Sequence, residues 1–248
     1  MFGDGVDVKF DENTMHSFLL VGQSNMAGRG DLGEVPPIRN RFCHMLRMGR
    51  WQPMSEPINP DRSITDGKFK SGIGLSASFA DEFSKKYYAP VGLIPCADGG
   101  TKIDEWAPGS LLFDHAIMMT KLAMRTSKLS GVLWHQGESE CRRDELVNSY
   151  ADKLFRLVEC FRSQLGGDDV PFIFGELSED IDDSWGLGKN VARMNGIFRE
   201  LSQQIKCSAL VSVKGLGLKP DGIHFTSASY RELGIRYFNA YDRLISKK

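Results

Sequence analysis

The sequence predicts an α/β protein in which a short parallel β-sheet carries helices on both faces, three layers in all. Short apolar, β-branched runs recur at 17–22, 91–97, 131–135, 171–177 and 208–213, and stretches with helical spacing lie between most of them. Alternation of this kind implies parallel strands joined by right-handed crossovers. A further sign is that several of the runs end in a glycine-bearing polar turn, as strands do where a parallel sheet presents its loops to a ligand.

Taken in order, the first strand runs straight into Gln23-Ser24-Asn25-Met26. The segment 31–74 is proline-rich and nearly without periodicity, which predicts an extended, loop-rich excursion over the sheet's edge and not a second domain. Leu75, Phe79, Phe83 and Tyr87 repeat at i, i+4 and predict a helix before the strand at 91–97. Residues 111–128 carry apolar side chains at mixed three and four spacing, as do Tyr150, Leu154, Leu157, Val158 and Phe161. Gly166-Gly167-Asp168-Asp169 stops that last helix before a Pro-led strand, Gly186 to Gly188 marks a loop, and a final helical stretch follows Phe225. There is no internal repeat. Residues 1–15 read as an N-terminal extension, and 16–248 as a single domain.

Hydrophobic residues make up 41% of the 248 and charged residues 25%, the balance of an ordinary soluble globular chain. Lys plus Arg number 31 against 32 Asp plus Glu, so a net charge of −1 gives no long-range pull toward phosphate backbones or anionic lipid. Nucleic acid and membrane are therefore not expected partners, and the pattern carries no sign of oligomeric state. No run approaches the roughly 18 apolar residues of a membrane span. The acidic start lacks the basic, apolar and small-residue regions of a secretory signal, and the five cysteines are odd in number with no CxxC pair. A cytoplasmic protein with reduced thiols is expected, with Cys96 a small core residue. The five histidines show neither HxxH nor HExxH spacing, so no metal is expected.

The unusual polar clusters fall at strand ends. Gln23-Ser24-Asn25 follows the first run, Asp98-Gly99-Gly100-Thr101 the second and Gln136-Gly137-Glu138 the third, while Asp221-Gly222-Ile223-His224 precedes the final helix. Crevices of open parallel sheets lie at the carboxyl ends of the strands, so clusters distant in sequence should converge in space. Acyl transfer needs a nucleophile, a base in reach of it, a group to orient the base, and donors for the oxyanion. Ser24 is placed to be the nucleophile and His224 its base. Asp221, three residues before His224, can fix the imidazole tautomer. Backbone N–H groups of Ser24 and of Gly99 or Gly100, with the Gln136 amide, are candidates for the oxyanion hole. Glu138 is left with three roles: a second carboxylate on His224, one on His135, or an acceptor holding the Gly99-Gly100 loop. Gln23, Asn25, Trp106 and Trp51 are candidate substrate-binding residues, the tryptophans as sugar-stacking surfaces.

Gly22-Gln23-Ser24-Asn25-Met26, Gly99-Gly100-Thr101 with Ile103 and Trp106, Trp134-His135-Gln136-Gly137-Glu138-Ser139, and Asp221-Gly222-Ile223-His224 together resemble the motif series of the sialate O-acetylesterase and acetylxylan esterase branch of SGNH hydrolases, carbohydrate esterase family 6. The blocks occur in family order from about Phe18 to the C-terminus. The resemblance implies a flavodoxin-like SGNH-hydrolase fold, no cofactor, and hydrolysis of O-acetyl esters on an acetylated carbohydrate. By motif it makes Ser24, Asp221 and His224 the triad, and gives the oxyanion to Ser24, the block-two glycine and Gln136. The chain departs from the wider superfamily at Gln136, where Asn is usual, and at Glu140, where the shorter Asp is commoner.

Each residue also has a plainer reading. Ser24 alone would be a helix cap, Gly99-Gly100 a loop, and Asp221-Gly222 a turn; the four blocks in order weigh against all three. Met26 stands where a nucleophile elbow would need its second glycine, which disfavours an α/β-hydrolase. The competing functions are an SGNH esterase on other esters, of lysophospholipase, thioesterase or arylesterase type, and a non-catalytic sugar-binding protein.

Overall fold

The computed structural model describes residues 10, 13–60, 70–188 and 190–247. Seven strands form one sheet: β1 (His16–Gly22), β2 (Cys43–Arg47), β3 (Arg50–Pro53), β4 (Val91–Pro95), β5 (Lys128–His135), β6 (Phe172–Gly175) and β7 (Ser208–Val211). Their order is β3-β2-β4-β1-β5-β6-β7, and every pairing is parallel except β2 with β3. The three-layer α/β class expected from the sequence is the one found. The proline-rich segment differs from expectation, because it contributes β2 and its antiparallel partner β3 at the sheet's edge. Both are short, β3 ends in Pro53 and is at best half-buried, so neither shows a usable period.

The helices are α1 (Ser24–Ala27), α2 (Ser76–Tyr87), α3 (Leu111–Ala123), α4 (Asp144–Asn148), α5 (Tyr150–Leu165), α6 (Asn190–Gln204) and α7 (Ser227–Ile245). The central strands are apolar at consecutive positions because both faces are covered. Leu19 and Val21 of β1 pack on one side with Trp134, Phe161 of α5 and Phe198 of α6, whereas Phe18 and Leu20 pack on the other with Phe79 of α2 and Tyr237 of α7. Phe18 shows how these layers lock: its ring lies 4.8 Å from Phe79, 5.1 Å from Phe83 and 5.2 Å from Tyr241. Removing such a side chain costs about 3–5 kcal/mol.

The chain leaves β1 toward β4 and later crosses back to β5 on the other side, so β1 sits at the point where strand order reverses, with its carboxyl end open as a crevice. Thr226 caps α7 by accepting the Ser229 N–H, and this fixes the 220–225 loop just before it. The extension expected over 1–15 falls mostly outside the described residues; Phe10 within it packs against His16, Phe83 and Tyr87. Among the described residues no helix is long and apolar enough to cross a membrane, and no cluster of His, Cys, Asp and Glu could hold a metal ion.

Candidate active site

Ser24 is the first residue of α1, with only Gln23 between it and the end of β1. The turn is possible because Gly22 has φ of 128° and no side chain; a Cβ there would collide with the His135 carbonyl at the end of β5. The Ser24 hydroxyl lies 3.0 Å from His224 Nε2, and His224 Nδ1 lies 2.9 Å from Asp221 Oδ2. An ionised Asp221 can only accept, so Nδ1 carries the proton and Nε2 is free to accept from Ser24. Asp221 is itself held in place, since its Oδ1 accepts the N–H groups of Ile223 at 3.1 Å and His224 at 3.0 Å.

These contacts set the charge states. Burial pulls the His224 pKa below the ordinary histidine value, the hydrogen bond to Asp221 opposes this, and the cations of Arg29 and Lys219 reinforce it. Burial alone would raise Asp221, but the hydrogen bonds from the His224 N–H, its ring and the Ile223 N–H hold it below the usual carboxylate range. The site thus rests with a neutral imidazole beside an ionised acid, the state a general base requires.

A cavity of about 240 Å³ opens over Ser24 and His224. Gln23, Gly99, Gly100 and Glu138 line it as well, so six of the expected residues share one wall. The loop after β4 comes very close: a Cβ on Gly99 would collide with the Arg29 guanidinium and stand 3.6 Å from Ser24 Cβ. As the first helical residue, Ser24 also keeps a backbone N–H that no preceding turn can take.

Residues 14–243 match the family described as carbohydrate esterase, sialic acid-specific acetylesterase. A probable carbohydrate esterase of Arabidopsis thaliana is 31% identical over 245 residues, covering 90% of this chain and 89% of that one. The crystal structure of an Arabidopsis thaliana protein superposes with a TM-score of 0.80 at 28% identity, over 93% of this chain and 98% of that one. The chain belongs to the sialic acid-specific acetylesterase family. In fold it is similar to NanS, with a TM-score of 0.76 at 16% identity over 96% of this chain and 100% of that one. A putative SGNH hydrolase from Slackia heliotrinireducens matches at 0.51 and 13% identity over 92% and 99%. This is therefore a carboxylic ester hydrolase with the SGNH fold that acts on O-acetyl esters of carbohydrate.

Four expected positions of the acetylesterase lie elsewhere than the sequence suggested. Gln136 is wholly buried and off the cavity wall, its amide turned toward Glu140, Thr101 and Gln23. Asn25 is buried too: it donates to Glu138 Oε1 at 2.7 Å and to the Ile223 carbonyl at 3.2 Å and accepts from Tyr230 at 2.6 Å, so it braces the 220–225 loop and does not face substrate. Trp106 is fully buried against Trp134, with its Nε1 donating to Thr101, and cannot stack on a sugar. Trp51 packs over Gly92 near the start of β4, at the end of the sheet remote from the crevice.

Glu138 bonds to neither His224 nor His135; His135 instead pairs with Tyr237 at 2.9 Å, and burial drives its pKa down to about 3. The Glu138 pKa is raised by burial, with the Asn25 hydrogen bond opposing, and its Oε2 has no partner among the described residues. Cys96 is buried, and its thiol is pushed up to about 12 by that burial, which makes it inert at neutral pH. The acetylesterase's cavity also contains residues that sequence reasoning missed: Arg29, Ser139, Arg142, Trp185, Leu187 and Ile223. Trp185 donates its Nε1 to the Asp221 carbonyl at 2.7 Å, and the Arg142 guanidinium lies 5.9 Å from its ring. A tryptophan inside the glycine-punctuated 183–188 loop was the one available signal.

Proposed function

We propose that this carbohydrate acetylesterase is a serine hydrolase working through an acetyl-enzyme, with Ser24 as nucleophile, His224 as base and then acid, and Asp221 orienting the imidazole. The observation that carries this reading is the unbroken chain from Ser24 Oγ through His224 to Asp221, at 3.0 and 2.9 Å. Ser24 Oγ attacks the acetyl carbonyl while its proton passes to His224 Nε2. The tetrahedral oxyanion is met by the Ser24 N–H and the Gly99–Gly100 loop, each such donor contributing roughly 3–4 kcal/mol. Collapse breaks the ester bond, and the departing sugar oxygen takes the proton from Nε2. Water then attacks the acetyl carbonyl, again giving its proton to His224, and acetate leaves as Ser24 Oγ recovers it.

The sugar lies on the Trp185 side of the cavity, where an indole face can take its apolar face. Two guanidinium groups, Arg29 and Arg142, line the same space, and its one acid, Glu138, is shifted toward its neutral form by burial. That charge balance favours a sugar bearing a carboxylate, in keeping with the sialic acid of the family description, over neutral acetylated xylan fragments. A sugar-binding protein without catalysis would have no use for a base aligned on a serine.

The experiment is acetate release by wild type and Ser24→Ala, with a fluorophosphonate probe on both. Wild type should be labelled on Ser24 and on no cysteine, and Ser24→Ala should remain folded with kcat lower by about 10⁴-fold or more. Near-normal turnover by Ser24→Ala would end the serine reading.

A further inference from the structure

We infer that the polar hollow between the start of α4, the start of α6 and the 183–188 loop is a second sugar subsite, continuous with the catalytic cavity. The substrate is then an acetylated sugar joined by a glycosidic bond to a further, uncharged sugar residue. The inference rests on the serine-esterase reading above and extends the substrate beyond its acetylated residue.

The cavity over Ser24 and His224 is small for a whole site. Its volume of about 240 Å³ lies below the roughly 300–1,000 Å³ of clefts that enclose a complete small ligand. The acetyl group and the sugar bearing it must share that space, so anything attached to the sugar has to lie beyond the wall. A hollow of about 650 Å³ adjoins the cavity there, for Arg142 and Leu187 line both. They stand on the Trp185 side, where the sugar is placed, and the Arg142 guanidinium lies 5.9 Å from the Trp185 ring. The Arg142 side chain makes no hydrogen bond among the described residues, so its five N–H groups remain for a ligand lying across the junction.

The lining selects among occupants. Its rim sets two guanidinium groups, Arg142 and Arg143, among three acids, Asp144, Glu145 and Asp183. Three carboxylates repel a phosphate chain, and an acyl tail would strip water from five charged groups without pairing any of them. Donors and acceptors side by side suit the hydroxyls of a neutral sugar, each of which gives one hydrogen and accepts on its oxygen.

The floor is held in place before any ligand arrives. Asn190 is 6% exposed; its Nδ2 donates to the Cys141 carbonyl at 3.0 Å and to Asp144 Oδ1 at 2.9 Å, and its Oδ1 accepts from Arg193 at 2.7 Å. Arg193 also donates to Asp144 Oδ1 at 3.0 Å. These bonds tie α4 to α6, and a preformed site loses less affinity to the ordering of its side chains.

The test is acetate release from two pairs of substrates: O-acetylated sialic acid, free and linked to lactose, and acetylated xylose against acetylated xylotriose. In the pair that wild type hydrolyses faster, kcat/KM should favour the linked member by about tenfold or more. Arg143→Ala combined with Asp183→Ala removes a donor and an acceptor from the rim, and neither residue lines the cavity over Ser24. The double variant should cut the preference to about threefold or less, and each single variant should reduce it if the double one does not fold. Equal kcat/KM for free and linked members, or a preference for the free sugar, would overturn the second subsite. A preference that survives undiminished in the folded double variant would overturn its location in this hollow. Fluorophosphonate labelling separates the two readings: a wild type unlabelled at Ser24 would defeat the serine reading, and with it the hollow's place beside the reacting ester, whatever the ratios.

Discussion

Replacing Asp221 by Asn alters one atom facing His224, and the geometry fixes which one. Asp221 Oδ1 accepts two backbone N–H groups, from Ile223 at 3.1 Å and His224 at 3.0 Å. An asparagine keeps its oxygen there, since turning it over would lose two hydrogen bonds worth about 1 kcal/mol each. A preference of about 2 kcal/mol is roughly 30-fold in population. The amide NH₂ then faces His224 Nδ1, which must accept, and the ring proton moves to Nε2, aimed at the Ser24 hydroxyl 3.0 Å away. In that tautomer the imidazole cannot take the serine proton. The remaining molecules, about one in thirty by the same preference, lack the carboxylate that stabilises the imidazolium, so the whole loss in kcat should be on the order of 10³ to 10⁴. Glu138→Gln should be much milder, because its oxygen can still accept the Asn25 N–H, now at 2.7 Å, and it has no bond to His224. Initial rates on 4-nitrophenyl acetate, with thermal melts to verify folding, make the comparison. A crippled Glu138→Gln beside a near-normal Asp221→Asn, both folded, would refute the assignment. Equally heavy losses in both would mean that they act as one network.

Acid loss of kcat/KM should come in two steps as pH falls. Glu140, pushed up to about 7 by burial and by nearby Glu138 against the hydrogen bonds from Ile103 and Gln136, protonates first; His224, held below its ordinary value, follows. Glu140→Gln should retain only the lower step, and a single wild-type step at the histidine alone would count against a part for Glu140. Trp185→Ala should raise KM for an acetylated sugar about three- to tenfold, the equivalent of roughly 0.7–1.4 kcal/mol, while 4-nitrophenyl acetate turnover stays nearly level. Equal effects on both substrates would remove Trp185 from the sugar site. Activity should fall from acetate to butyrate and beyond, because a cavity of about 240 Å³ must also take the sugar. A rise with chain length, up to about 0.8 kcal/mol per methylene, would mark an acyl pocket of another kind.

Much of this was legible because its signals are local. An apolar run ending in a glycine turn marks the end of a parallel strand, and Asp221 and His224 lie three apart on one turn, so the hydrogen-bonded chain from Ser24 through His224 to Asp221 could be anticipated from one strand end, one turn and the motif order. The edge strands β2 and β3 were hidden because five and four residues beside prolines show no period. Trp106 and Trp51 were misplaced because an indole suits a core as well as a sugar, and only the packing against Trp134 and over Gly92 tells them apart. Gln23 and Gln136 are chemically identical amides. What separates them is packing: Gln136 is wholly buried with its NH₂ beside Glu140, whereas Gln23 lines the cavity, and no sequence spacing conveys that.

Ser24 and His224 stand 200 residues apart in the chain, and the loop carrying the histidine is held by α7, the last helix. Ser24 is therefore translated 200 residues before the histidine that faces it, and the two meet once α7 has docked on α2 and β1 through Tyr241. On the serine reading proposed above, a chain cut between β7 and α7 would hold a correctly turned serine and remain chemically silent, so that turnover doubles as a reporter of α7 docking.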